Sequence, residues 1–205
     1  MEHISVTFVK TDKNPLNMKA FFCAITVIST AFSAVSGQQG LSVGDKAPVF
    51  KATADDGSSW DLKKYVGKDN IVVYFYPGAM TGGCTKQACA YRDHQNDLDA
   101  ADAIVVGISG DKVENLKLFK QAENLNFTLL SDEKGAIAKA FGVPLGEGGS
   151  IKRTVACTEF ELVRELSAKR WTFIIGKDGK IIYKNEAVNA EKDSEEVLNF
   201  LKKKG

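Results

Sequence analysis

Past Gly40 the apolar and polar positions change period several times, and each change predicts an element. Ile71-Val72-Val73-Tyr74-Phe75-Tyr76 is an unbroken apolar run rich in β-branched and aromatic side chains, the pattern of a strand buried on both faces. Residues 103–109 repeat that pattern, and 127–130 is a shorter version of it. Residues 84–98 contain neither proline nor glycine and predict a helix; 113–124 predict a second, with Leu116, Leu118 and Phe119 on its apolar face. A short helix is expected over 132–141, capped by Ser131 or Asp132, and a last one over 191–203, where Lys202, Lys203 and Lys204 meet the negative end of the helix dipole. Hairpins are expected around Asp55-Asp56-Gly57, joining 48–53 to 59–62, and around Lys177-Asp178-Gly179, joining 171–175 to 180–183. The alternation of strands and helices implies one α/β domain with a sheet covered on both faces.

The chemistry concentrates in the loop after the first apolar run. Pro77-Gly78-Ala79-Met80-Thr81-Gly82-Gly83-Cys84 places a cysteine in the first turn of the predicted helix, and Cys89 follows five residues later. A thiol there meets the positive end of the helix dipole and unpaired backbone N–H groups, both of which favour thiolate, the nucleophilic form. A single cysteine is as often inert packing. Three features count against that here: the pair Gly82-Gly83, which admits a small ligand close to the backbone, the Thr81 hydroxyl, and the second thiol at short range. The spacing is C-x-x-x-x-C rather than the C-x-x-C of a disulfide exchanger. Positions i and i+5 of an intact helix point to different faces. Bridging the two cysteines therefore requires local unwinding, which suits a reaction cycle better than a static bridge.

Pro77-x-x-x-Thr81-x-x-Cys84 resembles the active-site motif of the peroxiredoxins. Tyr74-Phe75-Tyr76 before it, and Cys84-Thr85-x-Gln87-Ala88-Cys89-x-Tyr91-Arg92-Asp93 after it, are similar to the peroxiredoxin Q branch, also called bacterioferritin comigratory protein. Arg170-Trp171-Thr172-Phe173-Ile174-Ile175 resembles the strand carrying that family's arginine, and the likeness runs from about Leu41 to the C-terminus. The resemblance implies a thioredoxin-like fold: a central mixed sheet flanked by helices, with an N-terminal β-hairpin. It also implies a thiol-dependent peroxidase for hydrogen peroxide and small organic hydroperoxides. Cys84 would be the peroxidatic cysteine and Cys89 the resolving one, joined in an intramolecular disulfide that a thioredoxin-like protein reduces. Thr81 would hydrogen-bond the thiolate and the peroxide, Arg170 would hold the thiolate and stabilise the breaking O–O bond, and Pro77 would shield the sulfur from water. No metal or organic cofactor is required, and a monomer is expected because both cysteines lie in one chain. Two other classes stay open: a thiol–disulfide oxidoreductase, disfavoured by the missing C-x-x-C, and a peroxide sensor or binding module on the same fold.

The chain departs from the family pattern at Gly82, where proline is usual, so a more mobile loop is expected. It also carries an insertion over 144–168, before the arginine-bearing strand. Gly146 to Gly149 there read as a turn, and 151–155 with 160–163 as an extra hairpin that either lines the active site or decorates the surface. Cys157, inside it, reads as an unremarkable thiol ahead of an alternative resolving cysteine or an intermolecular partner. Arg153 and Arg164 rank below Arg170 for the catalytic role because only Arg170 opens an apolar strand. The two histidines, His3 and His94, make no metal-ligand pattern, and His94 reads as a solvated surface residue.

Composition narrows the classes further. A net charge of +1 with interleaved signs leaves no electrostatic footprint for nucleic acid, and 205 residues suffice for one domain. Residues 1–37 differ in kind: Met18-Lys19 precede an uncharged, largely apolar run over 20–35, followed by small residues at Ser36 and Gly37. That is the pattern of a signal peptide cleaved near 36–38, with Met18 as the natural start and 38–205 as the domain. The apolar run is short for a membrane span, so no stable membrane association is expected. Export to the periplasm or the exterior follows; without cleavage, a cytoplasmic or organellar location. Removing the segment takes Cys23 with it and leaves three of the four cysteines, a poor count for a disulfide-stapled scaffold.

Overall fold

The computed structural model describes residues 40–204; the expected signal segment lies outside the described residues. In chain order the elements are β1 (Lys51–Ala54), β2 (Ser59–Asp61), β3 (Asn70–Phe75), α1 (Gly82–Asp93), α2 (Gln95–Ala100), β4 (Ala103–Ser109), α3 (Val113–Ala122), β5 (Thr128–Ser131), α4 (Ala136–Ala140), β6 (Leu145–Val155), β7 (Thr158–Ala168), β8 (Trp171–Ile175), β9 (Ile181–Asn185) and α5 (Asp193–Lys204). Seven strands form one sheet in the order β2-β1-β5-β4-β3-β8-β9. The β3–β4 and β4–β5 pairs are parallel, and the other neighbours are antiparallel. This is the doubly covered sheet that the alternation of elements implies, and its mixed pairing is what the family resemblance implies.

The central strands are apolar throughout because both their faces are buried. Ile71, Val73 and Phe75 point to one side, where Trp60, Phe141 and Phe173 complete the packing. Val72 and Tyr74 point to the other, among Tyr91, Leu116, Phe119, Ile174 and Val197. The second layer, built from α1, α3 and α5, holds Cys84. Gly107 in β4 leaves room there for Tyr74, whose ring atoms would come within 2.6 Å of a Cβ at that position.

Several expectations shift. The helix expected over 84–98 is two helices broken at His94, whose backbone (φ −94°, ψ 10°) ends α1 and opens α2. Its Nδ1 lies 2.9 Å from Ser194 Oγ, so His94 is a half-buried link to α5 rather than a solvated residue. The helix expected from residue 132 starts four residues later, yet the Asp132 carboxylate still caps it, accepting from the N–H groups of Ile137 and Ala138. The largest difference is the insertion. Gly146 to Gly149 do not turn; they lie in β6, which pairs with β7 in a separate two-stranded sheet of eleven-residue strands. Gly148 serves close approach instead, because a Cβ there would stand 2.0 Å from the Arg164 carbonyl oxygen. The chain reverses at Ala156-Cys157, both with positive φ (47° and 65°), a two-residue turn of the kind that matches hairpin twist.

Candidate active site

The carboxyl ends of the adjacent parallel strands β3 and β4 open onto one region, the usual place for a site in such a sheet. From β3 the chain passes through half-buried Pro77 and the turn Gly78-Ala79-Met80, with Met80 at φ +59°, into α1. Thr81 is the N-cap residue of α1, in extended backbone, and Cys84 falls in the first turn, 1% exposed. Arg170 arrives from the start of β8. Thr172 and Ile174 alternate onto the α1 face of the sheet, and Arg170 continues that alternation.

Arg170 Nη2 donates to Cys84 Sγ at 3.3 Å, and Nη1 donates to Gln87 Oε1. Gly83 admits this approach, since a Cβ there would already touch Nη2 at 3.4 Å. Fully buried Gln87 in turn donates through Nε2 to Asp193 Oδ2 at 2.7 Å. Tyr91 and Thr172 donate to the same oxygen at 2.7 and 2.8 Å. Burial raises the Asp193 carboxyl above the usual range, and the three donors only partly offset it. A chain of contacts therefore runs from the first turn of α5 through Gln87 to the guanidinium, fixing its plane against the sulfur. Arginine is suited to this because its charge is permanent and its donors form a rigid fork.

Thr81 departs from its expected role in one respect. Its hydroxyl donates to the Gly78 carbonyl at 3.0 Å rather than to Cys84. With the proton so engaged, the oxygen lone pairs remain to accept from the O–H of a peroxide. Gly82 opens α1, and nothing lies within 4 Å of where its Cβ would stand, so the family's proline would fit there.

Cys89 lies about one and a half turns beyond Cys84 in α1, half-buried, and its Sγ donates to Glu123 Oε2 at 3.7 Å. Burial pushes this thiol up; Glu123 adds to the rise, while Arg92 opposes it. Cys157 sits at the exposed tip of the β6–β7 hairpin as a free thiol.

Sequence reasoning brought together Pro77, Thr81, Cys84 and Arg170, and the structure gathers them at the start of α1. It missed Gln87, Asp193 and Asp111. Gln87 stood inside the motif without a role. Asp193 lay inside the expected last helix without a role. Asp111 follows the carboxyl end of β4, next to the strand that leads to Cys84, and that position was the available signal. Arg153 and Arg164, ranked low for catalysis, do not touch Cys84 but bind the turn before it.

The pattern of the AhpC/TSA family matches residues 43–184. Peroxiredoxin Bcp of Escherichia coli strain K12 is 40% identical over 162 residues, covering 79% of this chain and 96% of that protein. The chloroplastic peroxiredoxin Q of Suaeda salsa is 38% identical over 163 residues, covering 78% of this chain and 68% of that one. The crystal structure of peroxidoxin BcpB from Mycobacterium tuberculosis superposes with a TM-score of 0.66 at 30% identity, covering 80% of this chain and 97% of that chain. With Cys84 buried at a helix start under an arginine and matches over most of its length, this chain belongs to the AhpC/TSA family and, within it, to the peroxiredoxins.

Proposed function

We propose that the chain reduces hydrogen peroxide and small organic hydroperoxides through Cys84 and Cys89, with a thioredoxin-like protein as the reductant. The observation that carries this reading is the Arg170 guanidinium 3.3 Å from a buried sulfur at a helix N-terminus. In the first step the Cys84 thiolate attacks the nearer peroxide oxygen. The O–O bond breaks, Cys84 becomes a sulfenic acid, and the departing alkoxide or hydroxide takes up a proton to leave as alcohol or water. Negative charge moves from sulfur to the leaving oxygen beside the Arg170 guanidinium, which lies against that sulfur. A preorganised donor of this kind contributes about 3–4 kcal/mol to the barrier. In the second step Cys89 attacks the sulfenic sulfur, forming the disulfide and releasing water. A dithiol reductant then returns both cysteines to thiols and becomes a disulfide itself.

Burial and Glu123 favour the neutral form of the Cys89 thiol, the poorer nucleophile toward peroxide. Its position in the same helix favours an intramolecular bridge and a monomeric enzyme. The test is a peptide map of reduced protein after one equivalent of hydrogen peroxide. A bridged Cys84–Cys89 peptide is expected. A Cys84–Cys157 link would move the resolving role to the hairpin, and a free Cys84 thiol would overturn the reading. We also propose that residues 1–37 direct export, on the apolar run after Met18-Lys19. Mass analysis of the native protein should find a chain starting near residue 38; a start near Met1 would sink this.

A further inference from the structure

The three carbonyls of the turn between β3 and α1 are held by three different side chains. Gly78 O accepts from Thr81 Oγ1 at 3.0 Å, Ala79 O from Arg164 Nη2 at 3.2 Å, and Met80 O from Arg153 Nε at 2.9 Å. Two of these donors belong to the β6–β7 hairpin, and neither touches the reacting sulfur.

Arg164 does more than donate once. Its Nε binds Asp111 Oδ1 at 2.9 Å, and Asp111 Oδ2 accepts the Ala79 N–H at 2.7 Å and the Ser109 hydroxyl at 2.9 Å. One ion pair thus holds both the N–H and the C=O of a fully buried turn residue. The pair is itself buried, with side-chain exposures of 7% and 0%. Burying two charges is costly, and such a pair is a weak source of stability even when fully hydrogen-bonded. Its value here lies in the geometry it imposes. The turn is shaped to receive the guanidinium: a Cβ at Gly78 would stand 2.2 Å from Arg164 Cζ. Met80 keeps its positive φ, a conformation that persists only where the surroundings dictate it.

The hairpin is seated firmly enough to act on the turn. Leu162 lies in the core cluster around Cys84, Gly110 makes way for Leu166, and Asn115 Nδ2 donates to Val163 O at 3.1 Å. The turn in turn carries the first coil of α1, where Thr85 N–H binds Thr81 O at 2.8 Å.

We propose that Arg153 and Arg164, with Asp111, are positioning residues that clamp the 78–80 turn. This rests on the peroxidase reading. Attack on peroxide needs the turn closed, so that Thr81 and Cys84 are seated under Arg170. Disulfide formation needs it open, because Cys89, five positions along the helix, reaches Cys84 only when the first turn unwinds. The hairpin therefore favours the first step and restrains the second.

The experiment is stopped-flow mixing of reduced full-length protein with hydrogen peroxide, following tryptophan emission, for wild type, Arg153→Gln, Arg164→Gln and Arg164→Lys. The phase whose rate scales with peroxide reports sulfenic acid formation; the phase independent of peroxide reports disulfide closure. The scaling phase should fall about threefold in Arg153→Gln and tenfold or more in Arg164→Gln, as expected for loss of aligned geometry. The independent phase should rise at least threefold in both. Arg164→Lys, which keeps the charge but not the fork, should lie between wild type and Arg164→Gln. Unchanged rates, or both phases slowing together as general loosening would produce, would overturn the clamp. If Arg164→Gln does not fold, the exposed Arg153 decides by the same two criteria. A wild type without the peroxide-dependent phase would instead remove the peroxidase reading, so the two failures are distinct.

Discussion

Cys84 and Cys89 share one helix, and their surroundings are opposed. Cys84 is buried at the positive end of the α1 dipole with a guanidinium against its sulfur. Cys89 is half-exposed beyond the first turn and faces the carboxylate of Glu123. A cation lies against the first sulfur, whereas burial and a negative neighbour raise the second thiol. The contrast agrees with the proposed order of reaction, in which Cys84 meets peroxide first and Cys89 follows. Breaking that asymmetry at successive points should change different steps of the cycle.

The largest effect is expected at the sulfurs themselves. Cys84→Ser should abolish turnover in a coupled assay with a thioredoxin-like donor. Cys89→Ser should consume about one equivalent of peroxide and stop, with Cys84 trapped as sulfenic acid detectable by mass. Sustained turnover in the first variant, or a bridged product in the second, would contradict the division of roles. Next in size is Arg170→Ala, which removes the cation from the first position only. The peroxide-dependent step should slow at least tenfold while the disulfide-forming step stays within about twofold, a split measured by rapid mixing. An unchanged first step would take Arg170 out of the mechanism.

How much of this was legible before the structure follows from which signals are local. The strand–turn–helix unit around Cys84 was readable because apolar runs, the missing glycine and proline, and the cysteine spacing all lie within 71–98. Arg170 was readable because its motif lies in a strongly apolar strand. The break at His94 was not: residues 84–98 hold no glycine or proline to mark it, and the Ser194 that meets the His94 ring lies a hundred residues away. Gly146 to Gly149 misled because four residues rich in glycine normally turn; here β6 is largely exposed, and Gly148 is needed for close approach to Arg164. The inward face of β7 did carry a signal. Leu162, Arg164, Leu166 and Ala168 alternate toward the body of the protein, so an arginine on that apolar stripe implied a buried partner. The place of Asp111, just past the carboxyl end of β4, was the matching signal for that partner.

A smaller effect is expected at Glu123. Burial is the main reason the Cys89 thiol is raised, and the Glu123 carboxylate adds to it. Glu123→Gln removes the negative neighbour, so the thiol should lose its proton at lower pH. Because the thiolate is the attacking form, the rate of disulfide closure rises with pH through the Cys89 midpoint. In Glu123→Gln that rise should move to lower pH, making closure faster near neutrality and converging with wild type in alkali. The peroxide-dependent step should not move. A midpoint that stayed in place would mean that burial, Arg92 and Asp93 set the Cys89 thiol without Glu123.

The smallest effect concerns the turn that separates the two sulfurs from each other's reach. Gly82 is the first residue of α1, where the amide has no acceptor within the helix and proline is well tolerated. Thr81 before it is extended (φ −82°, ψ 149°), as a residue preceding proline must be. Space around the position is open. Gly82→Pro should therefore fit without strain and favour the wound first turn by about 0.4–1 kcal/mol, chiefly by restricting the unwound chain. Disulfide closure, which needs that unwinding, should slow by about two- to fivefold, while attack on peroxide stays the same or improves slightly. Equal closure rates in Gly82→Pro and wild type would mean that the chain opens elsewhere, toward Cys89, and that the first turn of α1 stays wound as the bridge forms.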